Sequence, residues 1–154
     1  MSNAVTLSLR LEAMKSLFAL DPSVPATLLE NAINDRDAKL AESAIALVGS
    51  YGIREGIEPL LKILDKSDPF GAKRSLRLRA IKALGELGDP SALPRLAKFF
   101  SDSILPWPSR SERRAAWESL AGYPAAARAE WIEQGRRSRD AEVRALSERL
   151  GAAE

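Results

Sequence analysis

The 154-residue chain contains no cysteine and no histidine. Without cysteine it can form no disulfide, no thiolate metal site and no cysteine nucleophile. Without histidine it lacks the most frequent general base and transition-metal ligand of proteins. Ser–His–Asp and Cys–His catalysis are therefore excluded within this chain. A mechanism based on carboxylates or lysine stays conceivable, but no motif suggests one, and we expect no catalytic residue, metal or cofactor.

The chain is also poor in aromatic residues, at 6%, and has no apolar run approaching the ~20 residues of a membrane span. Its start lacks the basic stretch and apolar core of a secretion signal, so we expect a cytoplasmic protein with no membrane partner. Alanine and leucine supply most of the 45% hydrophobic residues, which favours helices because both lose little side-chain freedom there. The 23 basic and 21 acidic residues leave a net charge of +2, too weak to predict nucleic-acid binding by itself.

The clearest repeated unit spans residues 76–100. Gly88 is suited to the left-handed turn that ends a helix, and Asp89 and Pro90 are suited to begin the next one. The unit therefore predicts two helices joined by a tight turn. The first predicted helix has apolar residues at helical spacing, namely Leu76, Ala80, Ala83, Leu84 and Leu87.

The same unit recurs along the chain. The equivalents of Ala80 are Ala13, Ala44, Ala116 and Ser147, at intervals of 31 (13 to 44), 36 (44 to 80), 36 (80 to 116) and 31 (116 to 147) residues. We expect one domain over residues 1–154, with repeats at about 5–35, 37–66, 73–102 and 110–136 and a final helix at 140–150. The predicted second helices are Ser23–Asn34, Arg54–Asp65, Pro90–Ser101 and Ala125–Gly135, and the final helix is Asp140–Leu150.

One position of the first helices predicts where the array ends. Its occupants are Met14, Ile45, Ile81, Trp117 and Glu148. We interpret this position as the surface that packs on the following repeat. A charged residue at the last position is then expected of a capping helix, which would close the solenoid at its C-terminus. The alternative is that Glu148 is an ordinary surface residue.

The sequence of the third repeat resembles the bacterial HEAT-like repeat of the phycobilisome-lyase type. The resemblance is carried by Leu76-Arg77, Ala80, Ala83-Leu84-Gly85, Leu87-Gly88-Asp89-Pro90 and Leu93-Pro94, is weaker in the other repeats, and with them covers nearly the whole chain. It implies an all-α, right-handed α–α superhelix of about four helix pairs plus a C-terminal capping helix. Such families include bilin-lyase subunits but consist mostly of scaffolds without catalysis, so the resemblance implies a protein partner rather than a reaction.

Second helices line the concave face in such folds, and we expect a partner to bind there. Lys62, Arg95 and Lys98 could form a positive strip for an acidic peptide or phosphate groups, or could be ordinary solvated side chains. Trp131 is either an exposed interface anchor or a core residue. Trp107, in the expanded loop at 103–110, either covers the edge of the solenoid or contacts a partner. The predicted concave-face residues are Asn31, Glu58, Lys62, Arg95, Lys98, Trp131 and Gln134.

Arginines concentrated in the second half raise the alternative of binding to nucleic-acid phosphates. Acidic residues interleave with them, so a salt-bridged surface is the favoured interpretation. A bilin-lyase-like accessory subunit, which would need a tetrapyrrole partner, is a third possibility, and the sequence leaves homo-oligomerisation open. The arginines concerned are Arg110, Arg113, Arg114, Arg136, Arg137, Arg139 and Arg144.

Overall fold

A computed structural model describes residues 2–20, 26–101 and 108–152. Within these ranges the chain is an all-α solenoid without a strand, as the sequence predicts. First helices stack side by side, α3 on α5, α5 on α7 and α7 on α9, while second helices such as α4 and α8 pack against the first helix that follows them. The α-helices are α1 (Ser2–Leu20), α2 (Ala26–Ile33), α3 (Ala38–Ser50), α4 (Ile57–Asp65), α5 (Arg74–Leu87), α6 (Leu93–Leu96), α7 (Arg110–Ser119), α8 (Ala125–Arg136) and α9 (Ala141–Ala152).

The predicted turn of the third repeat is confirmed in detail. Gly88 has the left-handed φ of 62° and its N–H donates to the carbonyl of Leu84, which ends α5. The Asp89 side chain accepts from the backbone N–H of Ser91 at 3.0 Å, and Pro90 begins a 3-10 turn directly after it. Local residue chemistry is therefore sufficient to define this helix boundary.

The second helix predicted at Pro90–Ser101 is not one continuous helix. It consists of a 3-10 turn at Pro90–Ala92, the four-residue α6, and another 3-10 turn at Ala97–Phe99. Pro94 has no N–H to donate to the carbonyl of Pro90, four residues earlier, and Leu93 donates to that carbonyl instead, three residues back. The segment still buries Leu96 and Phe99 as a helix face would.

The residues predicted to be equivalent to Ala80 have the same buried environment in four of the five repeats. Ala44, Ala80, Ala116 and Ser147 are all 0% exposed. The prediction is wrong for Ala13, which is exposed. Among the residues that the structure describes, α1 packs mainly on α3, and this contact leaves Ala13 exposed.

Small residues allow the first helices to approach each other closely. A Cβ atom added at Gly85 would lie 2.7 Å from the Cβ and 2.9 Å from the carbonyl oxygen of Ser119, closer than atoms can pack. Glycine is therefore required where α5 crosses α7. The position predicted to pack on the following repeat follows the expected pattern. Ile45, Ile81 and Trp117 are buried, Met14 is half-buried and Glu148 is exposed.

A buried arginine joins α5 to its neighbours. Arg77 is 1% exposed and donates through Nη1 to the carbonyls of Ile63 at 2.9 Å and Leu64 at 3.3 Å, at the end of α4. Its Nε donates to the carboxylate of Glu112, which is also buried and lies in the first turn of α7. Ser109 donates to the same carboxylate from its backbone N–H and its hydroxyl, both at 2.8 Å. Three successive repeats thus meet at one ion pair.

We predict that Arg77→Met lowers the free energy of unfolding by about 3–5 kcal/mol, because it removes one partner of a buried ion pair. Arg79→Met is the matched control two residues away, since the Arg79 side chain is 49% exposed and pairs with Glu42 on the surface. The control should cost less than about 1 kcal/mol. Urea unfolding followed by circular dichroism measures both, and equal losses would contradict the importance of the buried pair.

The same pair makes stability depend on pH. Burial raises the pKa of Glu112, but hydrogen bonds from Arg77 and Ser109 outweigh it and hold the pKa below its usual range. A lowered pKa contributes stability above the unfolded-state value of about 4.3, and that contribution is lost as the pH falls through the folded-state value. The stability difference between the wild type and Glu112→Gln should therefore be largest near about pH 6 and shrink below about pH 4. Urea unfolding across this range checks it, and a constant difference would refute it.

Candidate partner-binding face

Four segments present outward side chains on one side of the solenoid, and we call this side the second-helix face. The segments are α2, α4, the broken helix from Pro90 to Phe99, and α8. The predicted residues Asn31, Glu58, Lys62 and Gln134 are exposed on it, and Arg95, Lys98 and Trp131 are half-buried.

Burial of the opposite helix sides orients these residues. In α4, Leu60, Leu61 and Leu64 are buried, so Glu58 and Lys62 face outwards. The broken third segment preserves this division despite its irregular backbone. Leu93, Leu96, Phe99 and Phe100 lie inside, whereas Arg95 and Lys98 lie outside.

Ion pairs between repeats connect the predicted residues. Lys62 Nζ lies 2.7 Å from Glu30 Oε1 of the preceding repeat, and Arg95 Nη1 lies 2.6 Å from Glu58 Oε2. Arg95 Nη2 also pairs with Asp65. Lys98 donates to the Leu64 carbonyl at 2.9 Å and lies 3.5 Å from Asp65. These ion pairs therefore connect the charged side chains of the first, second and third segments of the face across neighbouring repeats.

The charges of this network balance each other. The hydrogen bond from Arg95 lowers the pKa of Asp65, and the hydrogen bond to Glu30 raises the pKa of Lys62, so both groups stay charged at neutral pH. Three basic and three acidic side chains take part. The positive strip considered from the sequence is therefore a neutral row of alternating charges rather than a purely basic surface.

Trp131 lies at the C-terminal end of the face and combines the two predicted alternatives. Its ring centroid is 4.9 Å from that of Phe100, whose ring also contacts the buried Trp117 at 5.1 Å. The indole thus covers the core yet is only half-buried. Gln134 Nε2 donates to the backbone carbonyl of Phe100 at 3.4 Å, so both predicted residues contact the same buried phenylalanine.

Sequence reasoning missed Glu30 and Asp65 as members of the face. Both precede their basic partners by about one repeat, since 32 residues separate Glu30 from Lys62 and 30 separate Asp65 from Arg95. Glu58 precedes Arg95 by 37 residues. Opposite charges recurring near the repeat interval are the signal that could have identified them.

The arginine cluster is divided among separate environments. Arg136 and Arg137 pair with Glu133 of their own helix at 3.3 and 2.9 Å, and Arg144 donates to the carbonyls of Ser138 and Arg139 after α8. The other four arginines, Arg110, Arg113, Arg114 and Arg139, line one cavity between α7 and α9. Trp107, the predicted loop candidate, lies outside the described residues.

Comparison with known families decides the identity of the repeat. The sequence profile of the family described as HEAT repeats matches residues 25–110, more than half of the chain. The chain belongs to the HEAT-repeat family. The matched stretch runs from α2 to the start of α7 and so contains most of the second-helix face. It identifies HEAT repeats as a class and does not distinguish the phycobilisome-lyase type.

No curated protein matches the chain in a sequence search. HEAT repeats commonly mediate protein–protein interaction, and such proteins are typically scaffolds rather than enzymes. None of the helices in the described ranges has the length and apolar character needed to cross a membrane.

Proposed function

We propose that this HEAT-repeat chain is a non-catalytic scaffold that binds another protein along the second-helix face. The observation that supports the proposal best is the row of ion pairs linking Glu30, Lys62, Glu58, Arg95 and Asp65 across three repeats. These pairs restrain long side chains before a partner arrives. Restrained side chains lose less conformational freedom on binding, which favours association.

The balanced charges of the face select a partner by pattern rather than by net charge. A segment that presents acidic and basic groups in the complementary order could share the exposed edges of Arg95 and Lys98. Trp131 offers an aromatic contact at the end of the row, and tryptophan and arginine are the residues most often found to dominate interfaces. We therefore propose a mixed-charge partner segment with an apolar residue that reaches Trp131.

We also propose that these are HEAT-like repeats of the phycobilisome-lyase type, on the basis of the motif from Leu76 to Pro94. This assignment supplies no reaction, because the motif residues are explained by packing and helix capping. Gly85 permits the α5–α7 contact, and Gly88 and Asp89 define a turn. The protein-binding proposal does not depend on this subtype.

Site-specific photo-crosslinking tests the proposed face. A photoreactive phenylalanine derivative placed at Asn31 or at Gln134 should give an adduct of the same added mass in cells of the native host, because both positions border one bound partner. The matched controls are Ala46 and Lys82, which are exposed on the first helices. They should not give this adduct.

Charge reversal at the centre of the face provides the second arm of the experiment. Arg95→Glu should abolish the adduct from the probes at Asn31 and Gln134. The new carboxylate would lie beside those of Glu58 and Asp65, so three negative charges would repel one another at the centre of the face. Circular dichroism would establish that the variant is folded. The same adduct from Lys82, or an adduct unaffected by Arg95→Glu, would reject the second-helix face as the binding surface.

A further inference from the structure

Helix α1 exposes a face that the following first helices bury. Leu17 is 38% exposed. Its equivalents in the next three repeats are 0%, 1% and 0% exposed, and they are Val48, Leu84 and Leu120. They follow Leu17 at the repeat intervals of 31 (17 to 48), 36 (48 to 84) and 36 (84 to 120) residues. Together with the exposed Ala13, Leu17 therefore has the sequence of a core position and the environment of a surface position.

Four apolar residues continue this face along the helix, and we call them the α1 stripe. Their spacing of four, four and three residues places them on one side of α1. Leu9 is 67% exposed and Leu20 is 85% exposed. Apolar area in water is unfavourable, and a contiguous apolar stripe with polar neighbours is typical of a surface that another protein covers. The stripe consists of Leu9, Ala13, Leu17 and Leu20.

The helices around α1 pack elsewhere. Helix α1 lies mainly on α3, and its Met14 packs against the hydrophobic core. Helix α2 packs on α3 and on α4. These contacts leave the stripe in solvent within the described part of the chain.

The stripe is arranged symmetrically about Ala13. Leu9 lies four residues before Ala13 and Leu17 lies four residues after it. Two copies of α1 that run in opposite directions and cross at Ala13 would therefore place Leu9 of each copy against Leu17 of the other. The small alanine side chain at the crossing allows the two helices to approach closely.

The charges beside the stripe fit the same pairing. Glu12 and Lys15 lie on one flank of α1, where Lys15 Nζ is 2.8 Å from Glu12 Oε1. The side chains are 66% and 51% exposed, so a second copy can reach both. When two identical helices pair in opposite directions, the same flank of each helix meets that of the other in reverse order. Each Glu12 then lies beside Lys15 of the other copy.

We propose that two copies of this chain associate by antiparallel pairing of their α1 stripes. The pairing buries the leucines that the structure leaves exposed and joins the Glu12 and Lys15 charges of both copies in one alternating row. No residue of the stripe belongs to the second-helix face, so the association is independent of the proposed partner binding.

Sedimentation velocity on the full chain tests the proposal. We expect a concentration-dependent species of twice the 16.8 kDa chain mass, with a dissociation constant below about 100 µM. Leu9→Lys should weaken association at least about tenfold, because it removes apolar contact area in both copies and adds a charge to the interface. Leu28→Lys is the matched control, since Leu28 is 46% exposed and lies on α2 outside the stripe. The control should associate like the wild type.

Circular dichroism would establish that both variants are folded. A wild type that stays monomeric up to about 1 mM would overturn the proposal and leave the stripe to a different protein. Equal weakening by Leu9→Lys and Leu28→Lys would also overturn it, because the stripe would then have no special role.

Single cysteines locate the crossing point. The chain has no cysteine of its own, so Ala13→Cys introduces one thiol per copy. Mild oxidation should link two folded copies through this position, because the two side chains meet where the helices cross and a disulfide requires such proximity. Ala46→Cys, exposed on α3, is the control and should stay unlinked. Equal linking of both variants, or none at Ala13, would contradict the proposed crossing.

Charge reversal tests the antiparallel direction. Glu12→Lys and Lys15→Glu should each associate about threefold more weakly than the wild type, because like charges then meet. An equimolar mixture of the two variants should regain wild-type association, since a basic flank meets an acidic one. Neither variant keeps the ion pair within its own α1, so the recovery must arise between copies. A mixture that associates no better than the separate variants would refute the antiparallel pairing.

Discussion

The buried guanidinium of Arg77 is the contact through which three repeats hold one another. It binds the carbonyls that end α4, belongs to α5, and pairs with Glu112 at the start of α7. Because removing a charge from water is costly, the pair is stable only when these three elements are correctly placed. The ion pair therefore selects one arrangement of neighbouring repeats. The second-helix face depends on that arrangement, since Arg95 reaches both Glu58 and Asp65 only when successive repeats are aligned.

Much of the fold could be predicted because it depends on local chemistry and on one recurring period. Gly88, Asp89 and Asp140 define helix ends through their own backbone and side-chain bonds. The break of the second helix in the third repeat was missed because the apolar pattern on both sides of Pro94 stayed helical, and Pro59 has a similar place in α4, which is continuous. The exposure of Ala13 depends on which helices surround α1, and the residue itself carries no sign of that.

The candidate face was predictable in its outward residues but not in its interactions. Helix phase is enough to place Glu58 and Lys62 on the outer side of α4. Their partners lie in other repeats, so the neutrality of the face emerges only when the distances between repeats are known. The burial of Arg77 was missed for the same reason, since its local sequence is that of a surface arginine. Arginine recurs at this position as Arg10, Arg113 and Arg144, but Arg10 is exposed, so recurrence alone does not identify the buried one.

Native-state hydrogen exchange at increasing urea concentrations tests most directly whether the Arg77 contact couples the repeats. We predict that the slowest amides of α4, α5 and α7 exchange through one common opening with the same free energy and the same urea dependence. The amides of α1 should exchange through a less costly local opening. Separate openings for α4 and for α5 with α7, each with its own free energy, would contradict the claim that this buried ion pair holds three repeats as one unit.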